Sequence, residues 1–376
     1  VEEILGLDRH PGQPPAFRGD LVPHPGELLL PFQQLEPSGK PILTCSDHRF
    51  HNGFLSFASH TDDDHAPVST NRTRASESLR LASTRLRGTL GNLRCPLNRF
   101  ILTLSCPDRP GIVHTVSGAL LDVDGNILEN AQFDDLDSGL FTLRTRFETE
   151  RSGDEVQAVL APIVDNLNAS YRLREESVRQ RMLVMVSKYD HCLIDLLYRQ
   201  STGELPVEIP LIVANHTDTA HHASRYGIRF EHLPIKPEIR DQQERRLLEL
   251  IESERIDFVV LARYMQILSP TLCEMLSGRI INIHHSFLPG FKGARPYHQA
   301  HARGVKLIGA TAHYVTSDLD EGPIIEQDVE RVDHSMTAER MTVIGQDIER
   351  RVLARAVKYH AEDRVLLVGG RTVVFG

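Results

Sequence analysis

The chain has 376 residues, 40% hydrophobic and 25% charged, with a formal net charge of −9 at pH 7 and a pI near 6.1. That length suits two or three domains with room for sizeable cores. The acidic balance gives no global pull toward nucleic acid or anionic membrane, no stretch nears the roughly 18 apolar residues of a membrane span, and Glu2, Glu3 and Pro11 break a signal-peptide pattern, so a cytoplasmic protein handling small ligands is expected.

Residues 1–97 hold nearly half of the 21 prolines and a single lysine, Lys40, with no sustained helical or strand period. Pro14-Pro15, the run Asp62-Asp63-Asp64 and the Ser/Thr/Arg stretch from Ser69 to Arg87 point to a largely disordered extension. A start assigned upstream of the native one would account for it. Five cysteines (Cys45, Cys95, Cys106, Cys192, Cys273) are odd in number and widely spaced, which speaks against a disulfide framework or a zinc ribbon.

Regular structure begins near Asn98. Phe100, Leu102 and Leu104 alternate with Ile101, Thr103 and Ser105 as in a strand. Asp108 is placed to cap a following helix, Pro110 suits its first turn, and Ile112, Val113, Val116, Ala119 and Leu120 form its apolar stripe. Asn126–Asp135 and Leu140–Glu148 read as a hairpin. Ser152 and Glu155 make a capping box for a second helix whose inner side is Val156, Val159, Leu160, Ile163, Val164 and Leu167. Tyr171–Arg174 closes a βαββαβ order over residues 98–176, which predicts a ferredoxin-like domain.

From residue 181 to 376 strands and helices alternate, as in an open, mostly parallel α/β sheet. Strands are predicted at Met182–Val186, Ile209–Ala214, Arg229–His232, Phe258–Leu261, Ile280–His284, Gly309–Val315 and Ile324–Val332. Asp241 and Glu244 look like the cap of a helix that turns Leu247, Leu248, Leu250 and Ile251 inward, and a last helix runs from about Thr337 to His360. Ligands in such sheets bind beyond the carboxyl ends of the strands, where His284 and the Val315–Asp320 loop are expected.

Alternation in Ile280–His284 turns Asn282 and His284 to one side, where an amide and an imidazole reach one substrate atom together. An amide can hold an oxyanion, an imidazole can move a proton near neutral pH, and a carboxylate can orient either the imidazole or a water. Alone, His284 would more often be a buried, hydrogen-bonded histidine and Asp320 a loop cap. The 19 histidines, including His221-His222 and His298 with His301, lack the spacing of a zinc motif, so no metal is expected. Glu204, Asp218 and the arginine-rich helix from Arg340 to Arg355 are read as solvated surface.

Three linked stretches carry a resemblance: Ile281-Asn282-Ile283-His284-His285-Ser286-Phe287-Leu288-Pro289, then Gly309-Ala310-Thr311-Ala312-His313-Tyr314-Val315, then Leu319-Asp320-Glu321-Gly322-Pro323-Ile324-Ile325-Glu326-Gln327. Together they resemble the folate-dependent formyltransferase fold family, and within it most nearly the formyltetrahydrofolate deformylases, over roughly residues 98–376. The resemblance implies that Asn282, His284 and Asp320 are catalytic, with 10-formyltetrahydrofolate as substrate rather than cofactor. It places the pterin against Met265, Gln266, Ile267 and Leu268, with the loop from Thr316 and Ser317 to Asp320 as the other wall and His285, His313 and Lys188 on the water side. The family's transferases often carry arginine where this chain has Gln266, so the resemblance does not fix the side-chain role at that position. The turn Ser187-Lys188-Tyr189-Asp190-His191-Cys192 holds no glycine, whereas a backbone phosphate cradle needs some, so water rather than a phosphorylated amine is expected as nucleophile.

Asp108-Arg109-Pro110-Gly111-Ile112-Val113 resembles the opening turn of ACT domains, which implies a regulatory site at Asp108, Pro110, Gly111 and Ile112 for a small amino acid, glycine or methionine first, and a homo-oligomer. The plainer reading of Pro110-Gly111 is a helix start. The expected activity is release of formate and tetrahydrofolate, supplying purine biosynthesis. Its rivals are a formyltransferase to an amine (phosphoribosylglycinamide type) or to charged transfer RNA, and a catalytically dead amino-acid sensor.

Overall fold

The computed structural model describes residues 97–235, 237–290 and 296–376; the expected disordered extension lies outside the described residues. Two layered units follow one another. The first is β1 (Asn98–Pro107), α1 (Ile112–Asp122), β2 (Asn126–Asp135), β3 (Leu140–Thr149), α2 (Gly153–Leu167) and β4 (Ser170–Glu175), in an antiparallel sheet of order β2-β3-β1-β4. This is the ferredoxin-like order read from the sequence. Period-two alternation turns Phe100, Leu102, Leu104 and Cys106 of the central strand onto the two helices, where Ile112, Val116, Leu120, Val156 and Leu160 meet them.

The helix starts differ from one another. Ser152 and Glu155 form the expected reciprocal cap: the Ser152 N–H donates to Glu155 Oε2 at 2.8 Å, and the Glu155 N–H donates to Ser152 Oγ. Ser152→Ala should therefore lower stability by roughly 0.5–2 kcal/mol in urea unfolding without changing the slope of the transition. At α1 the expected Asp108 cap does not form. Gly111, at φ 94°, is the cap residue and leaves Pro110 outside the first turn, while the Asp108 N–H donates to the Gly139 carbonyl and so ties strand end to hairpin turn.

The second unit is a seven-stranded sheet of order β11-β10-β9-β8-β5-β6-β7. Its strands are β5 (Gln180–Val186), β6 (Val207–Ala214), β7 (Arg229–His232), β8 (Phe258–Leu261), β9 (Ile280–His284), β10 (Leu307–Tyr314) and β11 (Ile324–Arg331). The five strands β7-β6-β5-β8-β9 are parallel, whereas β10 runs antiparallel to both its neighbours, β9 and β11, a reversal the alternation pattern does not reveal. One face packs on α3 (His191–Ser201), α4 (Ala220–Tyr226), α7 (Pro296–Ala302) and α8 (Ala338–Ala361); the other packs on α5 (Arg240–Ser253) and α6 (Pro270–Met275).

The expected cap of α5 is also corrected. Asp241 lies inside the first turn and the cap is Ile239, without a side-chain bond. Glu244 is recruited by α6 instead, accepting from the Ser269 N–H (2.9 Å) and hydroxyl. The last helix starts about where expected, and Thr337 caps it, its side chain accepting from the Arg340 N–H. A terminal hairpin, β12 (Val365–Val368) with β13 (Arg371–Val374), was not foreseen from the sequence. Arg174 and Arg144 join the small sheet to the end of α8: Arg174 Nη2 donates to the Ala361 carbonyl (3.0 Å) and Arg144 Nη2 to the Glu362 carbonyl (3.0 Å). No helix of the described residues is long and apolar enough to cross a membrane.

Candidate active site

Strand order reverses between β5 and β8, and the segment leaving β8 forms one wall of a cavity at that switch point. The chain turns sharply there, with Arg263 in the left-handed region (φ 62°) and the Met265 N–H donating to Ser187 Oγ beyond β5 (3.0 Å). Met265 and Ile267 are exposed, 49% and 65%, rather than buried in the core, while Leu268 packs against the α5 side. An apolar surface is thereby left facing a cavity of about 940 Å³ of open space, lined also by Gln266, Asn282, His284, His285, His313, Thr316, Ser317 and Asp320.

The two faces of β9 divide the labour. Ile281 and Ile283 pack toward α8, so Asn282 and His284 turn to the opposite face, and the antiparallel register sets His313 directly across from Asn282. Because β10 is antiparallel, the Val315–Asp320 loop leaves it beside Ile280, at the amino end of β9, rather than at the carboxyl end expected for a parallel strand. The loop folds back over the sheet, and Asp320, at φ 58°, returns to His284. Gly322 makes this turn possible, since a Cβ there would lie 1.7 Å from the Tyr314 carbonyl oxygen.

His284 Nδ1 lies 3.2 Å from Asp320 Oδ1, and both side chains are more than nine-tenths buried. Burial pushes the Asp320 carboxyl upward, but the hydrogen bond and proximity of His284 outweigh it and hold the group below the usual carboxylate value. His313 donates Nδ1–H to the Tyr314 carbonyl (2.9 Å), so its Nε2 accepts from Asn282 Nδ2 (3.2 Å). Burial keeps His313 neutral by lowering its pKa. Thr311 holds the loop after β9, accepting from the Leu288 N–H and donating to the Ser286 carbonyl.

Beside this constellation sits a buried charge cluster that the sequence reading left on the surface. Glu349 of α8 is 1% exposed; it accepts from the Tyr297 hydroxyl (2.7 Å), pairs with His191 Nε2 (2.8 Å) and lies 3.3 Å from Arg263 Nε. Burial alone would raise its pKa, yet His191, Arg263 and Tyr297 together hold it low. Tyr297 gains access because α8 carries Gly345, where a Cβ would sit 2.0 Å from the phenol ring. Cys192 joins His191 and Glu349 in the one group of the described residues close enough to share a metal ion, but burial drives its thiol pKa well up and the carboxylate is already engaged. Lys188 is not among the cavity-lining residues. Single glutamates and tyrosines on helices carry no signal in a lone sequence, which is why this cluster was missed.

Buried neutral histidines give the fold an acid limit. Burial lowers His285, next to Arg263, to about 3 and His360 to about 3, and lowers His313 as well. Their unfolded forms titrate near about 6.5, so the unfolded chain takes up protons first. Stability is full above that value and is lost as pH falls toward the folded values. Unfolding free energies from urea titrations between about pH 7 and about pH 5 should decline as pH falls, by at most about 1.4 kcal/mol per pH unit for each such ring. A flat profile would show that these rings protonate as readily in the folded state.

Residues 180–357 match the family model described as formyl transferase. Formyltetrahydrofolate deformylase of Corynebacterium sp. (strain P-1) is 47% identical over 279 residues, covering 73% of this chain and 98% of its own length. That of Bacillus subtilis is 47% identical over 278 residues, covering 73% of this chain and 93% of its own. The crystal structure of the deformylase from Burkholderia mallei superposes with a TM-score of 0.72 at 50% identity, over 74% of this chain and all of that one. Near-full coverage of these relatives, together with a matching fold, places this chain in the formyltetrahydrofolate deformylase family.

Proposed function

We propose that the protein hydrolyses 10-formyltetrahydrofolate to formate and tetrahydrofolate, with Asn282, His284 and Asp320 carrying the chemistry. The observation that bears most weight is the convergence of an oriented amide and a carboxylate-paired imidazole on one cavity that also exposes Met265 and Ile267. With Nδ1–H donated to Asp320, neutral His284 keeps its lone pair on Nε2 and takes a proton from the attacking water. Asn282, one amide hydrogen committed to His313, offers the other to the oxyanion on the former carbonyl oxygen. Asp320 stabilises the imidazolium and orients the water; His284 then delivers the proton to N10 as the C–N bond breaks. Backbone groups of Gln266 and Leu268 pair with the pterin, while Met265, Ile267, Thr316 and Ser317 hold it between two walls.

An amine acceptor is disfavoured on two counts. The turn after β5 lacks glycine, and its far end is filled by the His191–Glu349–Arg263 cluster. Formate release from 10-formyltetrahydrofolate without any acceptor tests the reading. Dependence on an added amine would shift it to a transferase, and tight amino-acid binding with no turnover would shift it to a sensor.

The small sandwich acts as an ACT-type regulatory domain that binds glycine or methionine near Asp108, Pro110 and Gly111. Ile112 serves as a core anchor, 3% exposed, and Gly111 lets helix-start N–H groups face a carboxylate. Edge strand β2 exposes Ile127, Leu128 and Phe133, a surface suited to a second copy in a homo-oligomer. The enzyme works in the cytoplasm and supplies formate to purine biosynthesis.

A further inference from the structure

Hydrolysis changes the charge in the cavity. The bond from the formyl carbon to N10 breaks and a bond to the water oxygen forms; one water proton ends on N10 and the other leaves for solvent. The carbon therefore departs as a carboxylate, made next to the carboxylate of Asp320. Among the cavity-lining residues Arg263 is the only lysine or arginine.

Its setting is built rather than incidental. Arg263 is 9% exposed and held in a left-handed conformation at the end of β8. Its guanidinium lies over the Tyr189 ring, 5.3 Å from the centroid, and its buried Nε is ion-paired with Glu349 Oε2 at 3.3 Å, which leaves the two Nη groups as the donors to offer a ligand. Glu349 is already engaged by His191 and Tyr297, so Arg263 is steered by its charge but not saturated by it. His285, on the same wall, carries a buried nitrogen without a partner. A fork of fixed donors with spare capacity suits a small planar carboxylate.

The geometry points to Arg263 as the product-anion site of the cavity: its guanidinium, braced by Glu349 and Tyr189, receives the carboxylate of departing formate. This rests on the hydrolytic reading above. Glu349 and Tyr189 are positioning residues, and the ligand class is the one-carbon or similarly small carboxylate.

The test separates formate binding from turnover. Full-length protein saturated with tetrahydrofolate is titrated with sodium formate in a calorimeter, against a sodium chloride control, and KM for 10-formyltetrahydrofolate is measured in parallel. The parent should bind formate; Arg263→Gln should weaken that binding roughly 10- to 100-fold, the size of a lost charge-assisted hydrogen bond, with KM for the folate little changed. Arg263→Lys, which keeps the charge and the pairing with Glu349 but not the fork, should fall between, and it decides the matter if the glutamine variant does not fold. Unchanged formate affinity in both variants, or a parent that binds no formate, overturns the assignment. A rise in folate KM with formate affinity intact also overturns it, by moving Arg263 to the folate. Formate binding in a parent that does not hydrolyse the folate would leave this site standing while removing the hydrolytic reading.

Discussion

Replacing His284 with alanine is expected to lower kcat/KM for formate release by roughly 10²- to 10⁴-fold, the range for losing a positioned general acid–base. Three observations set the expectation. His284 is 95% buried, the carboxylate 3.2 Å from its Nδ1 fixes which nitrogen carries the lone pair, and its ring opens on the cavity wall opposite the exposed Met265 and Ile267. The loss should fall on kcat, because the apolar wall proposed to hold the folate is untouched. Folding should survive, since the ring borders open space and Asp320 retains His313 at 3.9 Å. The check is steady-state kinetics alongside near-ultraviolet circular dichroism. A folded variant working at the parental rate would remove His284 from the chemistry.

Asn282→Ala should cost roughly 10²- to 10³-fold, the penalty for deleting one oxyanion donor. The interaction is made only when charge develops on the oxygen, so kcat and kcat/KM should fall together. His313 gives the prediction its physical basis. Its Nδ1–H is spent on the Tyr314 carbonyl, and its Nε2 therefore accepts from Asn282 and sets the amide plane. A variant that raises KM while leaving kcat intact would make Asn282 a binding group instead.

Much of this was legible in the residues. The ladder of alternating apolar side chains in β1, the Ser152–Glu155 cap and the start of the last helix near Thr337 are local signals, set by neighbours a few positions away. Asn282, His284, His313 and Asp320 announced themselves through three ordered motifs, and the structure gathers them in one cavity. What stayed hidden depends on long-range geometry. Antiparallel β10 alternates just as a parallel strand would, so the backward path of the Asp320 loop has no local mark. Asp108 and Asp241 sit where caps belong, but Gly111 and the pull of α6 on Glu244 decide otherwise. Glu349 reads as one more charge on an arginine-rich helix until Tyr297, His191 and Arg263, distant in sequence, surround it.

Helix α8 has 24 residues and so spans about 36 Å at about 1.5 Å per residue. Midway along it Glu349 grips Arg263 at the cavity, and at its far tip the Ala361 and Glu362 carbonyls are clasped by arginines of the small sandwich. A stiff rod fastened at both places cannot let one module swivel while the other stays put. Either the arginine clasps break, or the motion is delivered as leverage to the side chain that braces Arg263.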